Sequence, residues 1–170
     1  MSSATTIAVR ISLCISIMTL PMPAVFSAES VAVGPKFEDY AVTIRTEAPA
    51  GLQGNFPDLP AQARDELNTT FADGINFAGT ATIAVWGCGT GCMSGGVFDA
   101  RTEKWFEFPF AIHRSVQSDS ADKAFSFRHD SRLLIITGLC NEERDGQFHF
   151  VWDGRQLVPL DAPALACLSD

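Results

Sequence analysis

The sequence predicts an α+β protein that is mainly β: an antiparallel meander of about six to eight strands with one packed N-terminal helix, stapled by disulfides. Three observations carry that prediction. From Ile75 onward, short apolar stretches, several of them alternating with polar residues, follow one another at turn-sized intervals, which is the pattern of consecutive antiparallel strands. Before them lies one segment whose apolar residues fall four apart, the spacing of a single helical face. Of the five cysteines, four remain once an export signal is set aside, an even number suited to disulfides.

Residues 1–27 read as a secretory signal peptide, with cleavage between 27 and 30. Arg10 precedes the apolar run ISLCISIMTL and a Pro-broken stretch that ends in small residues. The run is shorter than the about 20 apolar residues that cross a bilayer. Cys14 follows Leu13 and not the small residue a lipid-attachment cysteine requires, so it leaves with the peptide. Residues 28–170 are then expected to form a single β-rich domain, periplasmic or secreted. The chain carries 12 Lys+Arg against 20 Asp+Glu, a net charge of -8, and loss of Arg10 makes it more negative still. Such a surface repels nucleic acid and anionic lipid and attracts cationic partners. No later segment has the length and apolarity of a membrane span.

Tyr40, Val42 and Ile44 alternate with polar or small neighbours and predict a strand, and TEAPAGLQGNFP after it predicts a loop. Asp58 then caps a helix with Pro60 in its first turn and Leu59, Ala63, Leu67 and Phe71 on one face, ended by Asp73-Gly74. Phe77 to Trp86 is apolar or small on both sides, as a central strand is. Val97 to Asp99 resumes after a glycine-rich turn. In WFEFPF, Phe106, Phe108 and Phe110 share a face, and Pro109 marks an edge. Ser115 to Lys123 reads as loop. Phe125 and Phe127 alternate, Leu133 to Ile136 is a second buried run, and a turn is expected at Asp145-Gly146. Asp153-Gly154 between two apolar stretches is a strong hairpin signal.

The stretches NFAGTATIAVWGCGTGC, FDARTEKWFEFPF, SRLLIITG and HFVWDGRQL, spanning Ile75 to Leu160, resemble a family of small exported proteins of Gram-negative bacteria to which no activity is attached. Its relatives often carry His-Tyr where this chain has Thr80-Ala81. The resemblance implies export and a single domain, and it carries over no catalytic residue.

The chemistry concentrates in Cys88-Gly89-Thr90-Gly91-Cys92. The favoured reading pairs Cys88 with Cys92 and Cys140 with Cys167, at about 2 and about 3.6 kcal/mol by chain entropy. The glycines permit the backbone angles of a tight cross-linked turn. That turn presents Trp86, Thr90, Met93 and Ser94 as a candidate binding loop. The alternative is thiol-redox or copper(I) chemistry at Cys88 and Cys92, with His149 as a third ligand to the copper cofactor. Against it, strands flank the pair, where a redox Cx2C sits at a helix N-terminus. His149 is expected to face solvent or a groove, opposite Phe148 and Phe150. Glu142, Glu143 and Asp145 could meet calcium but lack a spaced ligand series. There is no GxSxG, HExxH or P-loop. The sequence therefore favours a non-enzymatic binding module of the cell envelope, with no cofactor, whose partner is a cationic protein or an envelope component. An inhibitor of a cationic wall-degrading enzyme is one concrete form.

Overall fold

A computed structural model describes residues 34–45, 59, 61–113 and 124–168. All belong to one compact unit, Gly34–Asp170. The expected signal peptide, the loop at 46–57, the Asp58 cap with Pro60 and the loop at 115–123 lie outside the described residues.

Among the described residues eight strands follow one α-helix: α1 (Ala61–Ala72), β1 (Ala81–Gly89), β2 (Cys92–Asp99), β3 (Lys104–Glu107), β4 (Ile112–His113), β5 (Phe125–Phe127), β6 (Leu133–Cys140), β7 (Arg144–Trp152) and β8 (Leu157–Pro159). A six-residue helix, α2 (Ala162–Cys167), closes the order. Every pairing is antiparallel, and the sheet runs β1-β2-β4-β6-β7-β8, as the meander predicts. β3 and β4 lie end to end along one edge of β2, and β5 and β4 along one edge of β6. Pro109 explains the first break: with no N–H to donate, it ends the β3 ladder at Glu107, and β4 resumes three residues later.

Two-residue β4 is thus the bridge between two halves of the sheet, and the halves close over one core. Ile83, Val97, Leu134, Ile136, Phe148 and Phe150 are buried together there. Aromatic rings span the gap, with Phe106 edge-on to Trp152 at 5.7 Å and Phe110 stacked on Phe150 at 5.2 Å. Phe106, Phe108 and Phe110 all belong to this core, as their shared face predicts. The other face of β1 and β2 is covered by α1. Ala63, Leu67 and Phe71 pack with Ala84, Trp86 and Phe98, so β1 is buried on both sides. Each such large apolar side chain contributes about 1.5–3 kcal/mol of burial.

Local chemistry corrects several boundaries. Phe37–Tyr40 is a 3-10 helix and not the start of a strand, and Ala41 makes only an isolated bridge to Ser131. Arg128 holds it by bonding Glu38 at 2.7 Å and Asp130 at 2.7 Å while lying over the Phe37 ring. The expected strand at Phe77 begins instead at Ala81, because Phe77 pairs back onto Ala81 around a tight turn with Ala78 and Gly79 at positive φ. That turn is clasped from outside. Ala78 N–H donates to Ser131 O, Gly79 N–H donates to His129 O at 2.7 Å, and Arg45 N–H donates to Gly79 O. A Cβ at Gly79 would stand 2.5 Å from Thr43 O, so only glycine fits. Asn76 acts as a surrogate strand residue: its Nδ2 donates to Ile83 O at 3.0 Å and its Oδ1 accepts from Ile83 N–H at 2.8 Å.

The turn expected at Asp145-Gly146 lies earlier. Asn141 and Glu142 both adopt positive φ, Glu143 N–H donates to Cys140 O, and Asp145-Gly146 belongs to β7. The Asp153-Gly154 hairpin forms as predicted, with Asp153 Oδ1 accepting from the Arg155 and Gln156 amides. Helix α2 was not foreseen, although Asp161-Ala162-Pro163 carries its signal. Asp161 is the N-cap, its side chain accepting from Ala164 N–H at 2.8 Å, with proline in the first turn.

Candidate functional site

Both predicted disulfides form, Cys88–Cys92 and Cys140–Cys167, with Cα separations of 5.1 and 5.9 Å. The first clamps the tip of the β1–β2 hairpin. Its register slips between Gly87 and Gly89, so that Gly89 faces Cys92 and Thr90-Gly91 makes the turn. Gly91 sits at φ 73, the left-handed region that glycine adopts without strain. Gly87 to Gly91 are exposed, Thr90 at the apex.

The candidate loop residues separate. Thr90 is exposed, while Met93 and Ser94 are half-buried in β2. Met93 is paired with Gly87 on one side and Ile112 on the other. Trp86 is buried as its place in the apolar Phe77–Trp86 run predicts, and so is no part of an exposed binding loop: it is 8% exposed, packed beneath α1, with its ring 5.8 Å from that of Trp105. Its alternation in β1 puts it on the helix-facing side with Ala84.

Beside the clamped turn lies a groove of about 500 Å³ lined by Cys88, Cys92, Ser94, Glu107, Pro109 and Asn141, among others. Asn141 begins the β6–β7 turn, which places Glu142 and Glu143 at the same end of the sheet as the Cys88–Cys92 tip. Glu107, Glu142 and Glu143 are exposed. Of the cationic groups here, His113 Nε2 lies 3.4 Å from Glu142 and Arg144 donates to Ala166 O at 2.6 Å. Asn141 secures this end: its Oδ1 accepts from Ala111 N–H and its Nδ2 donates to Cys167 O, while Cys140 and Cys167 are joined covalently.

The copper alternative is not assembled. Cys88 and Cys92 are in a disulfide, and the histidine paired across the strands from Cys92 is His113. His149 lies further along β7, opposite Ile135. It is on the face opposite Phe148 and Phe150, as its alternation predicts, yet it is buried and not facing solvent. Asp161 bonds its Nδ1, and Gln147 lies 3.2 Å from its Nε2. Asp161, just ahead of α2, and Gly34 stand beside that ring, and no periodicity within β7 could announce them. Among the described residues no group of three His, Cys, Asp or Glu side chains is placed to hold a metal ion. Among them, too, no helix is long and apolar enough to cross a membrane.

At the other end of the sheet, sequence reasoning missed one pair. Asp99, 2% exposed, accepts from Arg101 N–H at 2.9 Å, from Nε at 3.2 Å and from Nη2 at 2.8 Å. The Asp99 carboxylate raises the Arg101 pKa above its usual value by hydrogen bonding and by charge. The FDAR stretch held the signal, since residues two apart across a strand end can close such a fork. Compared with protein-family models, curated proteins and solved structures, the chain matches none.

Proposed function

We propose that this chain is a non-enzymatic binding module of the cell envelope, exported to the periplasm or secreted, that docks a cationic protein. The finer form is inhibition of a cationic wall-degrading enzyme. The carrying observation is the disulfide-clamped, exposed Thr90 turn beside a groove whose end of the sheet displays Glu107, Glu142 and Glu143. A cross-linked turn is ordered before binding, so little conformational entropy is lost on association. Clustered carboxylates steer a cationic partner and fix its register. The excess of Asp+Glu over Lys+Arg in the whole chain supports the same sign of partner. Membership of the exported family belongs to this proposal.

The test is calorimetric titration of a cationic lysozyme into the exported protein, with cell-wall lysis followed in parallel. The expected result is saturable binding at about 20 mM salt that weakens strongly near 300 mM, where the screening length falls to several Å. Lysis should slow in proportion to occupancy. Absence of binding at low salt overturns the reading. A second reading, thiol redox at Cys88–Cys92, draws on the exposure of Cys88. It requires that glutathione open this disulfide readily, whereas a structural staple resists.

A further inference from the structure

We propose that the cleft between the β2–β3 and β7–β8 turns binds a small anionic sugar, one that carries a carboxylate or a phosphate. This site stands at the opposite end of the sheet from the Cys88–Cys92 turn and is independent of the protein partner proposed above.

The cleft encloses about 710 Å³, within the range of small-molecule sites. Its walls include Trp105, Phe106 and Trp152, together with Arg101, Lys104 and Arg155. In a chain of net charge -8, three basic residues converging on one cavity reverse the local sign. The two carboxylates in the wall are already engaged. Asp99 is forked by Arg101, and Asp153 accepts from the backbone amides of Arg155 and Gln156. Among the described residues no carboxylate forms an ion pair with Lys104 or Arg155. Arg101 uses Nε and Nη2 on Asp99, so the buried carboxylate holds the guanidinium in place while Nη1, which makes no hydrogen bond among the described residues, faces an incoming anion's charge.

A second, independent observation points to the body of the ligand. Trp105 and Trp152 both line this cleft, together with Phe106 and with Asp99 of β2. Trp152 is 3% exposed. Two indole side chains on one cavity offer the flat apolar wall on which a pyranose ring packs. The C–H faces of a sugar suit such indole walls. A bare inorganic anion offers the charge without the ring.

The experiment is tryptophan fluorescence titration of the full chain with glucuronate, glucose 6-phosphate, inorganic phosphate and glucose. Two of the three tryptophans line the cleft, so occupancy changes the signal. One or both charged sugars should saturate it, with inorganic phosphate at least about tenfold weaker and glucose silent. Lys104→Gln and Arg155→Gln should each weaken the charged sugar by about tenfold or more, the effect of one charged contact. Both side chains are exposed, so the thermal midpoint should not move. Arg101 is left intact, because its loss strands the buried Asp99. Failure of both charged sugars to bind at about 10 mM overturns the proposal. So does parental affinity in both variants, or phosphate binding as tightly as either sugar.

Discussion

Removing the Cys140–Cys167 disulfide should cost this fold more than removing Cys88–Cys92, and the difference follows from loop length. The bridged positions are 27 apart in one case and 4 in the other. The chain-entropy relation gives about 3.6 and about 2 kcal/mol. Burial widens the gap: Cys140 and Cys167 are 1% and 2% exposed, whereas Cys88 is at the surface. Paired Cys→Ala variants therefore compare a core deletion with a surface one. At about 4 °C per kcal/mol for a domain of this size, the thermal midpoints should fall by about 14 °C and about 8 °C. Calorimetric melts of the two double variants beside the parent decide the matter. An equal fall, or a larger one for Cys88→Ala/Cys92→Ala, would refute the reasoning, because it would mean that the α2 tail adds little to the fold.

Gly96→Ala should destabilise by about 1–3 kcal/mol in urea melts, because a Cβ there would stand 2.2 Å from Trp105 Cζ2 and 2.5 Å from Phe106 O. Asn76→Ala should cost about 2 kcal/mol or more in the same melts, since it strips both partners from the Ile83 amide and carbonyl. Acidification should loosen the 3-10 helix from the β5–β6 turn. Glu38 and Asp130 have pKa values below their usual ones, Glu38 through backbone and Arg128 hydrogen bonds and Asp130 through Arg128. A lowered pKa stabilises above the unfolded value, so the contribution disappears as pH falls through the carboxylate range. The protection factor of Arg132 N–H, which donates to Tyr40 O, taken against the intrinsic exchange rate at each pH, should therefore fall below about pH 4 in the parent and be lower at all pH values in Arg128→Gln.

Local signals in the sequence were enough to anticipate most of the sheet. Leu67 and Phe71 on one helical face, the alternating Phe106, Phe108 and Phe110, and Asp153-Gly154 each act over a few residues, and each took the predicted role. The misplaced boundaries arise from long-range pairing. Tyr40 to Ile44 alternates like a strand, yet its partners are Asp130 and Arg132, with Gly79 held by the next residue, Arg45, all by single bonds and not a ladder. Phe77 belongs to an apolar run, but Asn76 and the Ser131 segment fold it back onto Ala81. At the candidate site, cysteine count and spacing indicated the pairing and the apolar run ending at Trp86 its burial, whereas the burial of His149 against Asp161 depended on a residue brought back by the chain beyond β8. The cationic cleft was invisible for the same reason: Arg101 and Arg155 meet only because two hairpin turns converge.

The account of the Cys88–Cys92 turn as a recognition element is tested most directly by the affinity of a Thr90→Arg variant for a cationic lysozyme. Thr90 is exposed at the apex of the clamped turn and outside both apolar cores, so the substitution should leave the fold and its melting point unchanged. It sets a long cation against a cationic partner, and the account predicts that affinity at low salt falls by about tenfold or more. Undiminished binding by this variant would contradict it.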